Sequence, residues 1–397
     1  MPRCSAMSAT PPPPSGSLEN QKFWEVARVF FKLGLTAFGG PAAHIAYMHQ
    51  EVVRKRHWVS DQQFLDLLGA TNLIPGPNST EMAIHLGYVR AGWRGMLAGG
   101  LGFILPAAMI VLLFSVAYVQ FGSTPQAEWL LYGIKPVILA IIVHALYALG
   151  QKAVTGWTTA LVGIGSIVLY ILGVNELLLL FGCGGLLMLW RNRQLIARWG
   201  KSLPPAAFML AGMYSLAGAE VPFSLWRLFL IFLKIGSVLY GSGYVLLAFM
   251  RADLVERLGW LTNQQLIDAI AIGQITPGPL FTSATFVGYL LGGIPGALVA
   301  TVGIFLPSFF FVAISNPIIP RMRASTWLAA MLDGINVAAL GLMVGVMGEI
   351  SLTSLTDTFT ILLGVVSTFL LFRYNFNPTW LILTGALLGM LRNFITP

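Results

Sequence analysis

The 397-residue chain is 56% hydrophobic and 10% charged, where an average soluble domain carries roughly 25% charged residues. Its mean hydropathy is +0.78, and so few charges cannot clothe a soluble fold of this size. The net charge of +8 reads as loop lysines and arginines held on one membrane face, so the expected surroundings are a lipid bilayer and no nucleic-acid partner.

The apolar runs are continuous rather than alternating, which argues against a β-barrel. The predicted fold class is all-α, a polytopic membrane protein with room for roughly ten spans of about 20 residues. Residues 1–20 form a polar tail around Pro11 to Pro14. It has no hydrophobic core, so it is not read as a signal peptide and is expected to be disordered. Apolar segments follow near 23–40, 93–120, 128–150, 153–174 and 176–190, with a stretch at 62–90 broken by Pro75-Gly76-Pro77. A linker is placed at 202–221. Further apolar segments lie near 224–243, 294–318, 326–350, 358–373 and 378–394, with a second broken stretch at 263–292. Cys4 lies in the tail and Cys183 in an apolar run, so neither a disulfide nor a thiolate metal site is expected.

The two sets of segments are copies of one unit, roughly 21–201 and 222–397. With a shift of 202, Lys32 meets Lys234, Gly34 meets Gly236 and Gly39 meets Gly241. Trp58 then meets Trp260, Gln62-Gln63 meets Gln264-Gln265, Asp66 meets Asp268, and Pro75-Gly76-Pro77 meets Pro277-Gly278-Pro279. After one lost residue the register continues through Gly87 and Gly288, Leu105-Pro106 and Leu306-Pro307, and Gly133 and Gly334. Five crossings per half, an odd number, would invert the second copy. Counted that way, 14 cationic residues fall on one face, among them Arg54, Lys55, Arg56, Arg90, Arg94 and Arg227. Only Lys22, Arg251, Arg257 and Arg392 fall opposite. This bias predicts inverted-topology repeats, the architecture of many secondary transporters.

Three stretches carry a resemblance: FKLGLTAFGGPAAH (Phe31 to His44), NLIPGPNSTEMAIHLGY (Asn72 to Tyr88) and GQITPGPLFTSATFVGY (Gly273 to Tyr289). Through them the sequence resembles the chromate ion transporter family over nearly all of the chain after the tail. The resemblance implies chromate efflux from the bacterial cytoplasm across the inner membrane, conferring resistance, with sulfate as the natural mimic. The second copy departs from the first where Gly40-Pro41 becomes Ser242-Gly243.

The residues themselves suggest an anion site. Pro-Gly-Pro interrupts a helical ladder, and such backbone is tolerated at membrane depth only inside protein or beside a wet cavity. Each interruption (Pro75, Gly76, Pro77; Pro277, Gly278, Pro279) is followed by hydroxyl or amide residues that start a new helix: Asn78, Ser79 and Thr80 in one copy, Thr282 and Ser283 in the other. Two helix N-termini meeting near the midplane would cradle a tetrahedral dianion; the plainer alternative is a sharp turn. Lys32 and Lys234 stand at matching places in apolar helices, where a lysine is costly. They are candidate substrate ligands together with Gly39, Gly40 and Gly241, with snorkelling as the alternative. Arg28 lies one turn before Lys32, and Lys135 faces Asn336 across the repeat.

Glu81 and His85 share one helix face and are candidates for proton or charge coupling, or else form a local pair. Asp66 and Asp268 join them, or cap helices and balance the lysines. Asp333 is a weaker candidate, and His144 reads as a packed histidine. Trp58 and Trp260 read as interface anchors. No Walker A loop, HExxH, CxxC pair or nucleophile elbow is present, so neither an enzyme nor a cofactor or metal is expected. The expected partner is a chromate- or sulfate-like oxyanion, and a homodimer is compatible with this reading. A dianion feels the membrane potential twice, about 4.6 kcal/mol per 100 mV, which drives it outward from a negative interior. The rival reading within transport is uptake or exchange of sulfate or another oxyanion.

Overall fold

The computed structural model describes residues 15–122, 124–193, 222–240, 243–315, 325–374 and 376–395. The tail before residue 15, the expected linker 202–221, Gly241, and Arg198, Lys201, Arg321 and Arg323 lie outside the described residues. Helix is the only regular structure among the described residues.

Helix α1 (Ser15–Thr36) is followed, after Ala37 and Phe38, by two consecutive glycines, Gly39 and Gly40, with φ of 104° and 77°. Side-chain-bearing residues rarely adopt such values, and here they reverse the chain. Helix α2 (Gly40–Met48) carries Pro41 in its first turn and runs on as a π-helical turn, His49–Lys55. The return brings Arg56 onto Glu25 of α1 at 3.2 Å; from the later helix Asn78–Phe121, Arg90 reaches the same carboxylate at 2.7 Å and Arg94 lies over the Phe23 ring at 5.3 Å. The apolar segment 23–40 is therefore one arm of a hairpin, which takes it out of the five crossings per copy whose odd number argued for inversion. This corrects the expected sidedness of Lys22, which lies with Arg56 and Arg90 rather than opposite them; in the second copy the Phe223–Trp260 contact likewise draws Arg227 toward the end that holds Arg257 rather than the face opposite it.

Helix α3 (Asp61–Thr71) starts on a capping box: Ser60 Oγ accepts from the Gln63 amide at 3.2 Å, and Gln63 Oε1 accepts from the Ser60 amide at 3.0 Å. The second copy repeats this at Thr262 and Gln265, which explains why the second glutamine of each pair recurs. After the first Pro-Gly-Pro comes α4 (Asn78–Phe121), which is two antiparallel arms joined at Ala91 and Gly92. The arms touch so closely that a methyl added at Gly87 would sit 2.2 Å from the Gly95 carbonyl oxygen, and one at Gly99 2.4 Å from that of Ala83. Only glycine permits this approach.

Three more helices follow among the described residues of the first copy: α5 (Pro125–Ala153), α6 (Trp157–Ile171) and α7 (Glu176–Arg191). The second copy repeats the order. Helix α8 (Leu225–Val238) matches α1, and α9 (Leu246–Met250) with its π-turn Arg251–Arg257 matches α2. Helix α10 (Asn263–Ile275) matches α3, and α11 (Ser283–Ser315), folded at Gly292 and Gly293, matches α4. Helices α12 (Thr326–Ser354), α13 (Thr358–Tyr374) and α14 (Pro378–Ile395) close the chain.

Among the described residues four helical stretches, Asn78–Phe121, Pro125–Ala153, Leu280–Ser315 and Thr326–Leu352, are long and apolar enough to cross a membrane. Large apolar side chains such as Leu113, Leu172 and Leu362 face outward. The chain is a multi-pass membrane protein. Its copies interlock: α5 of the first packs on α13 and α14 of the second, while α12 of the second packs on α6 and α7 of the first. Glycines set both seams. A methyl at Gly133 would lie 2.0 Å from the Gly385 carbonyl oxygen, and one at Gly334 2.7 Å from that of Cys183.

Candidate functional site

The interruptions of the two copies meet crosswise. The Gly76 amide of the first Pro-Gly-Pro donates to the Leu239 carbonyl at the end of α8, at 2.8 Å. The Gly278 amide of the second donates to the Ala37 carbonyl at the end of α1, at 3.1 Å. Leu239 and Ala37 are repeat mates, as are Gly76 and Gly278, so each copy supplies the hydrogen-bond acceptor that the broken helix of the other lacks. The buried His44 ring adds a second donor to Ala37, Nε2 to carbonyl oxygen at 3.0 Å. Since a carbonyl only accepts, Nε2 carries the hydrogen and Nδ1 is left without a partner among the described residues.

Buried polar side chains lie at both breaks, Glu81 and Ser308 against the first and Ser283 against Gly273 beside the second. Thr80, Glu81 and His85 on α4 are fully buried, as are Thr282, Ser283 and Ser308 of the second copy. The Glu81 carboxyl folds back over Gly76, where an added methyl would lie 2.3 Å from Glu81 Oε1 and 2.7 Å from Ser308 Oγ. Neither Glu81 oxygen has a hydrogen-bond partner among the described residues, and the Thr80, Ser283 and Ser308 hydroxyls are likewise unsatisfied. Buried polar groups without partners are uncommon because each costs about 1–3 kcal/mol.

Against this break lies a cavity of about 280 Å³, with room for several waters at about 30 Å³ each. Its polar wall comes from Thr71, Asn72, Asn78, Lys152, Asp333 and Asn336. The Asn78 amide donates to Asn72 Oδ1 at 2.7 Å, and Asn72 to the Leu68 carbonyl at 3.1 Å. Asp333 is ion-paired with Arg191. Lys152, the Asn336 amide and the start of α4 are then the donors facing the cavity. The hydroxyls of Ser79 and Thr80 lie just behind Asn78 on α4.

Asp268 is 1% exposed, accepts from the Tyr118 hydroxyl at 2.8 Å and from Gln264 at 3.1 Å, and has Lys135 within electrostatic reach. Its mate Asp66 is half-buried and bonded by Gln62 at 3.3 Å. Where Lys135 stands in one copy, the cavity-lining Asn336 stands in the other.

The predicted residues are thus distributed over several places. Asn78 lines the cavity, while Pro75, Gly76, Pro77, Ser79, Thr80, Glu81 and His85 form the break and helix behind it. Pro277, Gly278, Pro279, Thr282 and Ser283 form its buried counterpart. Lys234 is ion-paired with Asp253. Lys32 is exposed on the outer face of α1, as is Arg28, and neither has an ion pair among the described residues. No lysine of this pair lines the cavity. Gly39 and Gly40 serve the α1–α2 reversal. His144 packs edge-on against Phe372 at 5.1 Å. The Trp58 indole donates to Glu25 at 3.2 Å, and Trp260 meets Phe223 at 5.3 Å. Sequence reasoning missed Asn72, Lys152 and Ser308. The only signal for Asn336 was its mismatch with Lys135.

The family model described as "Chromate transporter" matches residues 24–189 and 226–390, one stretch in each copy. The chain belongs to the chromate transporter family. It is 32% identical to the "Chromate transport protein" of Cupriavidus metallidurans over 372 residues, 92% of this chain and 91% of that one. It is 30% identical to the "Probable chromate transport protein" of Synechococcus elongatus over 348 residues, 86% and 88% of the two chains. With the "Chromate transport protein" of Pseudomonas aeruginosa the identity is 32% over 350 residues, 84% and 81%. No solved structure matches the chain. Members of this family are transport proteins and not enzymes, which accords with the absence of catalytic motifs in the sequence.

Proposed function

We propose that the chain is a secondary transporter that exports chromate across the bacterial inner membrane, with the anion bound between two inverted halves. The polar cavity against the first break carries this reading, in a chain whose full-length relatives are named chromate transport proteins. The anion is held by Asn78, Asn336 and Lys152 and by the free amides at the start of α4. Ser79 and Thr80 complete the site as the anion moves inward, and Thr282 and Ser283 take it over from the second copy. Lys32 and Lys234 act on the field around this path rather than as ligands.

Inversion is supported by how the second arms of α4 and α11 pass each other. Gly100 lies against Phe309, and Val312 belongs to one cluster with Met96, near where the α4 arm begins. Tyr118, near the far end of the α4 arm, meets Phe286 and Asp268 of the second copy. Arms related by an axis along the membrane normal would pair Gly100 with its mate Thr301 instead. Inversion puts Arg227 with Arg257, and Lys22 with Arg54, on opposite faces. Cysteines at 54 and 257 should then react with an impermeant reagent from opposite sides.

Alternating access is supported by an asymmetry between the copies: a cavity reaches Asn336 in one, while in the other Lys135 stands at the matching position near Asp268, itself bonded by Tyr118. Glu81 takes up the coupling proton, because an unpaired carboxylate is expensive to bury. His85, one turn further along the same helix, is its relay. Outward movement of a dianion gains about 4.6 kcal/mol per 100 mV of inside-negative potential.

The test is flux of labelled chromate in proteoliposomes with an imposed potential and sulfate as competitor. The reading predicts movement toward the positive side that depends on the voltage. Flux indifferent to voltage, or sulfate moved in preference to chromate, would favour exchange or uptake of another oxyanion.

A further inference from the structure

A second pocket, of about 660 Å³, opens at the end of the molecule where α1 begins. Four cations, Lys22, Arg28, Arg56 and Arg90, line it with Trp24 and a single acid, Glu25. Glu25 is consumed by Arg56, Arg90 and the Trp58 indole, at 3.2, 2.7 and 3.2 Å. Arg56 also reaches Glu51 at 3.2 Å. Lys22 and Arg28 are exposed and have no ion pair among the described residues, so the pocket keeps an uncompensated positive charge.

From the pocket, one face of α1 leads away through Trp24, Arg28, Phe31 and Leu35, at helical spacing. Trp24, Phe31 and Leu35 are 59%, 45% and 39% exposed. Lys32 lies beside Phe31, also exposed. A basic pocket with an exposed tryptophan, continued by an apolar stripe on the exposed face of α1, matches one chemistry: a phosphate headgroup with an attached acyl chain. A free oxyanion would fill the charged part and leave the stripe unused.

We propose that this pocket binds the phosphodiester headgroup of an anionic lipid, with its acyl chain along Phe31 and Leu35. Lys22 and Arg28 hold the phosphate, and Lys32 reaches up to it along its aliphatic stem. Arg56 and Arg90, fixed by Glu25, form the back wall.

Native mass spectrometry of the full-length protein, titrated with phosphatidylglycerol or phosphatidylcholine, tests the assignment. Phosphatidylglycerol should be retained in preference, and the Lys22→Gln/Arg28→Gln double variant should bind it roughly 25-fold more weakly, about fivefold per charge removed. Arg54→Gln, at the same end but outside the pocket, should bind as the parent does, and millimolar inorganic phosphate should not displace the lipid. Equal retention of phosphatidylcholine, or unchanged affinity in the double variant, would overturn the proposal. So would displacement of the lipid by phosphate alone, or loss of a dimer rather than of lipid in the double variant.

Discussion

The crosswise seam between the copies makes a specific prediction at Gly278. Its φ is 92°, and a methyl added there would lie 2.6 Å from the Ala107 Cβ, with the Gly34 carbonyl oxygen at 3.4 Å. Ala107 sits within a helix next to Pro106 and cannot step aside. Gly278→Ala therefore adds backbone strain of about 1–3 kcal/mol to an overpacking cost of about 1–3 kcal/mol. That sum, about 2–6 kcal/mol, is a large fraction of a typical total stability of about 5–15 kcal/mol. Ala107→Gly alone costs about 1 kcal/mol as a glycine in a helix. Combined with Gly278→Ala it removes the methyl that is hit, so the double variant should recover about 1–3 kcal/mol relative to the sum of the single effects. Thermal unfolding in detergent, with chromate flux in parallel, reads this coupling. Strictly additive effects would mean that the second Pro-Gly-Pro does not pack against the first copy.

Other predictions follow from the same geometry. Glu81→Gln should leave voltage-driven chromate flux in place and abolish its response to an imposed pH gradient; an unaltered pH response would remove Glu81 from coupling. Tyr118→Phe deletes one bond to a buried carboxylate, a loss of about 1.4 kcal/mol, and should raise amide hydrogen exchange in α10 about tenfold. No change there would mean that Tyr118 does not secure Asp268. Arg251 is 8% exposed, bonded to Tyr170 at 2.8 Å and Asn263 at 3.1 Å, and ion-paired with Glu256 and Glu349. Both acids are more than a third exposed, so screening limits their share. Arg251→Ala should destabilise by about 2 kcal/mol, and an unshifted unfolding transition would contradict its role as a tie between α9 and α12.

Much of the fold was legible in the sequence because it is written in residue types with one physical meaning. Paired Pro-Gly-Pro motifs located the interruptions, and the recurring Trp, Gln-Gln and Asp fixed the register of the duplication, with the second glutamine now explained as a helix cap. The hairpin at 23–40 was not legible, since its length also suits a single crossing. What decides it is the left-handed backbone of Gly39 and Gly40 and the ion pairs of Glu25. The crosswise bonds of Gly76 and Gly278 were invisible for a deeper reason: they use backbone groups that every residue owns. Lys32 and Lys234 look equivalent in sequence yet differ in place. Asp253 neutralises Lys234, whereas its repeat mate Glu51 is engaged by Lys55 and Arg56 at 3.0 and 3.2 Å and leaves Lys32 alone. The cavity residues Asn72, Lys152 and Asn336 come from three separate helical regions and are brought together only by the interlocking of the copies.

The most direct test of the anion path is protection of position 336. In a background with Cys4→Ser and Cys183→Ala, a cysteine introduced as Asn336→Cys should react with a small hydrophilic thiol reagent. Chromate should slow that reaction with the same half-saturation concentration that governs its transport. Modification at an unchanged rate under saturating chromate would show that the anion does not pass the first break.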